Sequence, residues 1–199
     1  MGKEWVLSLV LATAAAGQAD FRNANWGMIP AQVKALEPGR GADISQGAAE
    51  TAMEYGGIRM GGIASRVVYI FSHDRLQRAK YVFEADHRDL NEFIRDFRNI
   101  QALLIERHGK PVLDRAIWED DSTQLEPKSY LDQDRASPAN ILPSDPNVGL
   151  AVSLGHLKLV TQWESPRTRV AHVLTGQDHQ VTHEIEYRGT EAVKAARER

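Results

Sequence analysis

The chain has 199 residues, 42% of them hydrophobic and 26% charged, enough for one well-buried core or two small ones. A formal net charge of −3, with no clustered excess of Lys and Arg, excludes a general nucleic-acid-binding role, because phosphate neutralisation needs such an excess. With no Cys there is no disulfide and no residue to carry a bacterial lipid anchor.

The first nineteen residues differ in kind from the rest. Trp5 to Leu11 is an apolar run too short to span a bilayer, and the small residues after it end in Gly17-Gln18-Ala19, a boundary that fits signal-peptide cleavage before Asp20. Residues 1–19 are therefore read as a signal peptide, with a buried N-terminal helix as the alternative. The mature protein is expected in the periplasm or outside the cell, without a lipid anchor or a transmembrane segment.

Residues 20–87 read as a first helix-sheet unit. Pro30, Val33 and Leu36 mark a short helix that stops at Glu37 before Pro38-Gly39, and residues 42–52 read as a loop or a frayed helix. Strands follow at Met53 to Met60, Ala64 to Phe71 and Leu76 to Glu84. The last two form a hairpin through Ser72-His73-Asp74-Arg75, and Gly56-Gly57 and Gly61-Gly62 supply bulges or turns.

Residues 88–188 read as a second unit. Its helix, Leu90 to His108, starts at a capping-box-like Asp89 and Glu92, carries an apolar stripe through Phe93, Ile94, Phe97, Ile100 and Leu104, and stops at Gly109-Lys110-Pro111. A strand at Val112 to Trp118 precedes a Pro-rich, acidic insertion at 119–147. Strands are then expected at Gly149 to Leu154, Leu157 to Trp163, Arg169 to Thr175 and Gln180 to Tyr187, before a polar tail at 189–199. The predicted fold class is α+β: two tandem helix-plus-antiparallel-sheet units with the helices on one face of the sheet.

Trp26-Gly27-Met28, followed by Gln32-Val33 and Leu36, resembles the opening helix motif of the BamE-like outer-membrane assembly lipoproteins and of the β-lactamase-inhibitor-protein-like domains. The layout of the mature chain also resembles a family of uncharacterised secreted bacterial proteins. The resemblance implies a helix-plus-sheet repeat and a non-enzymatic role in binding other proteins, and it carries over no catalytic or binding residue.

The residues themselves assign no catalytic, cofactor or metal site. Among the seven His, His172 and His183 would oppose each other if the last hairpin turned at Gln177-Asp178, but two imidazoles fall short of the three or four ligands of a zinc site. The acidic runs Glu119-Asp120-Asp121 and Asp132-Gln133-Asp134 lack the third ligand and the Gly of a calcium loop. There is no Gly-x-Ser-x-Gly elbow and no Ser-x-x-Lys motif. Trp118, Tyr130 and Trp163, next to strand ends or inside the insertion, are the candidate protein-binding residues; the competing reading makes each Trp a lid on the core. The expected function is non-catalytic binding of another secreted protein or an envelope component, with a carboxylate/His hydrolase or a small-ligand carrier as rivals.

Overall fold

A computed structural model of the chain describes residues 19–37, 43–46, 50–120, 122–123 and 147–190, with only the backbone considered for 43–46. Residues 1–18 of the expected signal peptide, Tyr130, most of the insertion and the tail beyond 190 lie outside the described residues.

The described residues form eight strands, β1 (Asp43–Gln46), β2 (Glu50–Met60), β3 (Ile63–Ser72), β4 (Arg75–Phe83), β5 (Leu113–Trp118), β6 (Leu157–Glu164), β7 (Thr168–Gln177) and β8 (Gln180–Gly189), and alternation of buried and more exposed residues runs through β3, β4, β7 and β8. All pair antiparallel in one sheet of order β1-β2-β3-β4-β8-β7-β6-β5. Among the described residues three helices accompany it: α1 (Pro30–Leu36), α2 (Asn91–His108) and α3 (Val148–Ser153). Among the described residues no helix is long and apolar enough to cross a membrane.

Three hairpins close through two-residue turns in which both central residues have positive φ: Gly61-Gly62, His73-Asp74 and Asp178-His179. That backbone matches the right-handed twist of the flanking strands. A bulge between Tyr55 and Ile58 takes up Gly56-Gly57, with Gly57 at φ +73°.

The structure corrects the expected fold class. There are not two tandem helix-plus-sheet units but a single, sheet-dominated fold. β4 and β8 pair directly, with Ala79 opposite Tyr187 and Tyr81 opposite Ile185, so the edges that two separate units would leave open are satisfied by each other. α1 has seven residues and buries only Val33, too little to cover a sheet of its own. α2 instead serves both ends of the sheet. Its Phe93, Ile94 and Phe97 join a cluster with Leu157, Leu159 and Leu174, while Ile100 and Leu104 join a second cluster with Val67, Tyr69 and Tyr187.

Two element assignments change as well. Residues 43–46 and 50–52, expected as loop or frayed helix, belong to β1 and β2. The strand expected at Gly149 to Leu154 is α3, in agreement with the rule that a short apolar run does not distinguish strand from buried helix. Gly149 fixes α3 against the start of α2: its N–H donates to Asn91 Oδ1 at 2.9 Å, and a Cβ there would lie 2.4 Å from the Leu90 carbonyl carbon.

The helix-covered face of the sheet carries Met53, Val67, Tyr69, Phe71, Ala79, Tyr81, Ile185, Tyr187, Val170, Leu174, Leu159 and Trp163, all buried. The opposite face carries ion pairs between neighbouring strands, among them Lys80–Glu184 at 3.0 Å, Arg78–Glu186 at 3.8 Å and Arg169–Glu164 at 2.8 Å. Half-exposed pairs of this kind contribute little stability each but keep that face wet and strand register specified.

Candidate functional site

The segment ahead of α1 folds back on itself, Phe21 and Ala24 exchanging backbone hydrogen bonds of 3.0 and 2.8 Å, and presses Phe21 into the sheet. The Phe21 ring sits 5.4, 5.2 and 4.9 Å from the ring centres of Tyr69, Tyr81 and Tyr187. Arg22, at φ +50°, then aims its guanidinium at the buried Glu37, with Nε 2.7 Å from Oε1 and Nη2 3.0 Å from Oε2. Tyr69 donates its hydroxyl to the same Oε1. A buried carboxylate needs such partners, and the bidentate fork supplies two of them. Burial, reinforced by Glu37, holds the Tyr69 phenol above its ordinary pKa, so it remains a donor.

This anchored segment forms one wall of a cleft of about 310 Å³, whose other walls are the C-terminal end of α2 and the β6–β7 turn. Trp163, only 3% exposed, lines it and donates Nε1–H to the Gly109 carbonyl at 2.8 Å. His108 faces the same space. Burial, and secondarily Arg107, lowers its pKa, which favours the neutral ring, and its Nε2 lies 3.4 Å from the Tyr187 hydroxyl. Asp20 accepts from Arg167 at 2.9 and 2.6 Å and from the Trp26 N–H at 3.0 Å. Glu164 accepts from Arg169 at 2.8 Å. Arg107, also on the cleft, has no ion-pair partner among the described residues. Beyond Pro166-Arg167 lies a second hollow of about 390 Å³, bounded by Trp26, Leu76 and Gly189.

No family model, curated protein or solved structure matches the chain. The function has to be read from the residues of the cleft.

Of the three candidate protein-binding residues, the structure places Trp163 in the cleft wall. Trp118 lies at the other end of β6, opposite Leu157 and partly buried against the cluster that holds Phe93, Leu157 and Leu159, about 20 Å from Trp163 at strand rise. Tyr130 is outside the described residues, and the structure brings none of the three together. Arg107, His108, Asp20 and Arg167 escaped the sequence reading. Their only local signals were the end of a helix stripe and a Pro-containing turn, and neither reports that residues 20 and 167 meet.

His172 and His183 do come together, but not as the sequence suggested. The turn falls at Asp178-His179 instead of Gln177-Asp178, so His172 pairs with Ile185 and His183 with Leu174. The rings meet on the diagonal, with the two Nε2 atoms 2.8 Å apart and both side chains buried. Among the described residues no group of three or more His, Cys, Asp or Glu could hold a metal ion.

Proposed function

We propose that the protein is an exported, non-catalytic binding protein that receives a side chain or chain end of another secreted or envelope protein in the cleft between α2 and the β6–β7 turn. One observation carries the reading: among the described residues both carboxylates of the cleft, Asp20 and Glu164, are neutralised by guanidinium groups, while Arg107 has no carboxylate partner. A hydrolase of the carboxylate/His type needs an acid or base free to move a proton near neutral pH. Here the carboxylates are committed as salt bridges and His108 is committed to Tyr187. The charge missing from the cleft is negative, and a partner's acidic side chain or C-terminal carboxylate would supply it.

Export is supported by the run Trp5 to Leu11 and the Gly17-Gln18-Ala19 boundary. Protein binding is supported by the resemblance of Trp26 to Leu36 to the BamE-like motif. Ala19 and Asp20 line the cleft, so cleavage before Asp20 would set the new α-amino group at its rim and add to its positive charge.

The test places a photoreactive amino acid at position 107 in one variant and at position 78, on the open face of the sheet, in another. After illumination of cells that export the protein, an adduct with a defined partner is expected from position 107 only. An adduct from position 78 only would move the binding surface to the open sheet face. Intact-mass analysis of the same material should begin at Asp20 or within a few residues of it; a chain retaining Met1 would overturn export.

A further inference from the structure

The buried imidazole pair has no role in the cleft, and its hydrogen bonding is incomplete. The His172 ring lies flat on Phe97 of α2, centres 4.1 Å apart and planes 10° apart, and the His183 ring lies against Phe83 of β4 at 4.2 Å. The rings share one contact, Nε2 to Nε2 at 2.8 Å, and among the described residues both buried Nδ1 atoms have no partner. That contact admits one proton. The donating ring then keeps a bare Nδ1, and the accepting ring must carry its own proton on an Nδ1 with nothing to receive it. The first proton taken up by the neutral pair leaves both Nδ1–H groups stranded and adds a charge between two phenyl rings. The second sets the two Nε2–H groups against each other at a distance fit only for a hydrogen bond.

Among the described residues no carboxylate contacts either ring. α2 presents Phe97, β4 presents Phe83, and α3 carries no titratable side chain. Across β6 the residue opposite His172 is Thr161, which with Gln101 of α2 engages Asp114 of β5, at 3.2 and 3.1 Å respectively. Glu184 and Glu186 of β8 belong to the other face, where both pair with Lys80. The spacing is also wrong for a metal: two nitrogens at about 2.0–2.1 Å from a tetrahedral zinc would stand about 3.3 Å apart.

We propose that His172 and His183 form a proton-operated latch between α2 and the sheet: the neutral pair keeps the helix closed, and proton uptake releases it and uncovers the apolar face beneath. The helix gives way before the strands because both rings bear on Phe97 of α2, His172 at 4.1 Å and His183 at 6.0 Å between ring centres, so a charge on either faces the helix. β7 and β8, by contrast, are held by backbone pairing from Thr168↔Gly189 to Gln177↔Gln180.

The direction in pH follows from burial, which pushes His183 down to about 3 and His172, also opposed by His183, well below the ordinary imidazole range. Folded values below the unfolded value of about 6.5 mean that the closed state is fully stable above that pH and loses stability as pH falls from there toward the folded values. Each ring contributes up to about tenfold per pH unit over that span, and the pair up to about a hundredfold.

The absence of Cys makes the test direct. Ile94→Cys places a unique thiol on the buried side of α2, and 4,4′-dithiodipyridine traps it at acid pH. The trapping rate, corrected for that of a free thiol, should rise between tenfold and a hundredfold per pH unit below about 6.5 while the far-UV signal of the sheet is retained. In the His172→Phe and His183→Phe backgrounds the rise should shrink to tenfold or less. The His87–Asp96 pair on α2, 2.7 Å apart, is common to all three proteins and cancels in the comparison.

A flat profile, an unchanged slope in both variants, or trapping that coincides with loss of the sheet signal would overturn the latch. Slowing of the trapping by added zinc would overturn it in favour of a metal site. Should the variants not fold, imidazole NMR of the Ile94→Cys protein decides: both rings must stay neutral while the thiol is protected and gain protons as it becomes reactive.

Discussion

Asp20 Oδ2 and Arg167 Nη2 lie 2.6 Å apart although 147 residues separate them, and the two partners are unequally placed. The Asp20 side chain is 4% exposed and Arg167 is 68% exposed. The carboxylate is therefore the structural half of the pair and the guanidinium the accessible half. Asp20→Ala should cost about 1–3 kcal/mol, because it removes the acceptor of both the Arg167 and the Trp26 N–H bonds. Arg167→Ala should cost less and alter partner binding instead. Urea unfolding of the two variants checks the order, and a larger loss for Arg167→Ala would refute it.

The Arg22–Glu37–Tyr69 group gives a graded prediction. Glu37→Ala leaves Arg22, 25% exposed, without its carboxylate, and should cost about 3 kcal/mol, the low end for a broken buried pair because the guanidinium can still reach water. Tyr69→Phe removes a single donor to a charged acceptor and should cost about 1.5 kcal/mol, with Glu37 still bound by Arg22. Equal losses, measured as shifts in the urea midpoint at constant slope, would show that the tyrosine and not the ion pair organises the segment.

Phe97 is fully buried and stacks on His172, so Phe97→Ala should cost about 3–5 kcal/mol. An unchanged denaturation midpoint would remove this face of α2 from the core. Gly149→Ala should also destabilise, by about 1–3 kcal/mol, since the added methyl meets the Leu90 backbone, which cannot swing aside as a side chain does. A neutral result in thermal unfolding would mean that α3 shifts freely away from α2.

Local signals served where local physics decides. The stripe Phe93, Ile94, Phe97, Ile100 and Leu104 with its Gly109 stop marked α2, and the alternation of Ala79, Tyr81 and Phe83 with charged neighbours marked β4. They did not serve where the outcome depends on partners far along the chain. Nothing in residues 75–83 says that β4 will pair with β8, yet that pairing turns two imagined units into one sheet. Val148 to Ser153 is apolar enough for strand or helix, and in the structure it is a helix whose Gly149 sits tightly against Leu90, a partner far along the chain. The cleft was illegible for the same reason, because it joins residues 19–20, 107–108 and 163–170. The His172–His183 contact was half legible: the hairpin was evident, but a one-residue shift in the turn changed facing residues into diagonal ones.

The stem of the insertion leads to the last prediction. Glu119 and Asp120 donate backbone N–H groups to the His156 carbonyl at 2.7 and 3.3 Å, and Asn147 Nδ2 donates to the Thr123 carbonyl at 3.2 Å. The two ends of the segment are thus tied to each other and to the turn before β6, and chain leaving Thr123 returns within hydrogen-bond reach at Asn147. Replacing residues 124–146 with a short Gly/Ser linker should leave this stem intact, since closing a loop between ends already held together changes the entropy cost by well under about 2 kcal/mol for a several-fold change in length. The trimmed protein is expected to unfold within a few degrees of the full chain in calorimetry. If the cleft is the binding surface, it should also retain the adduct formed from position 107. A trimmed protein that unfolds would place residues 124–146 in the core; one that folds but loses the adduct would make them part of the partner's seat.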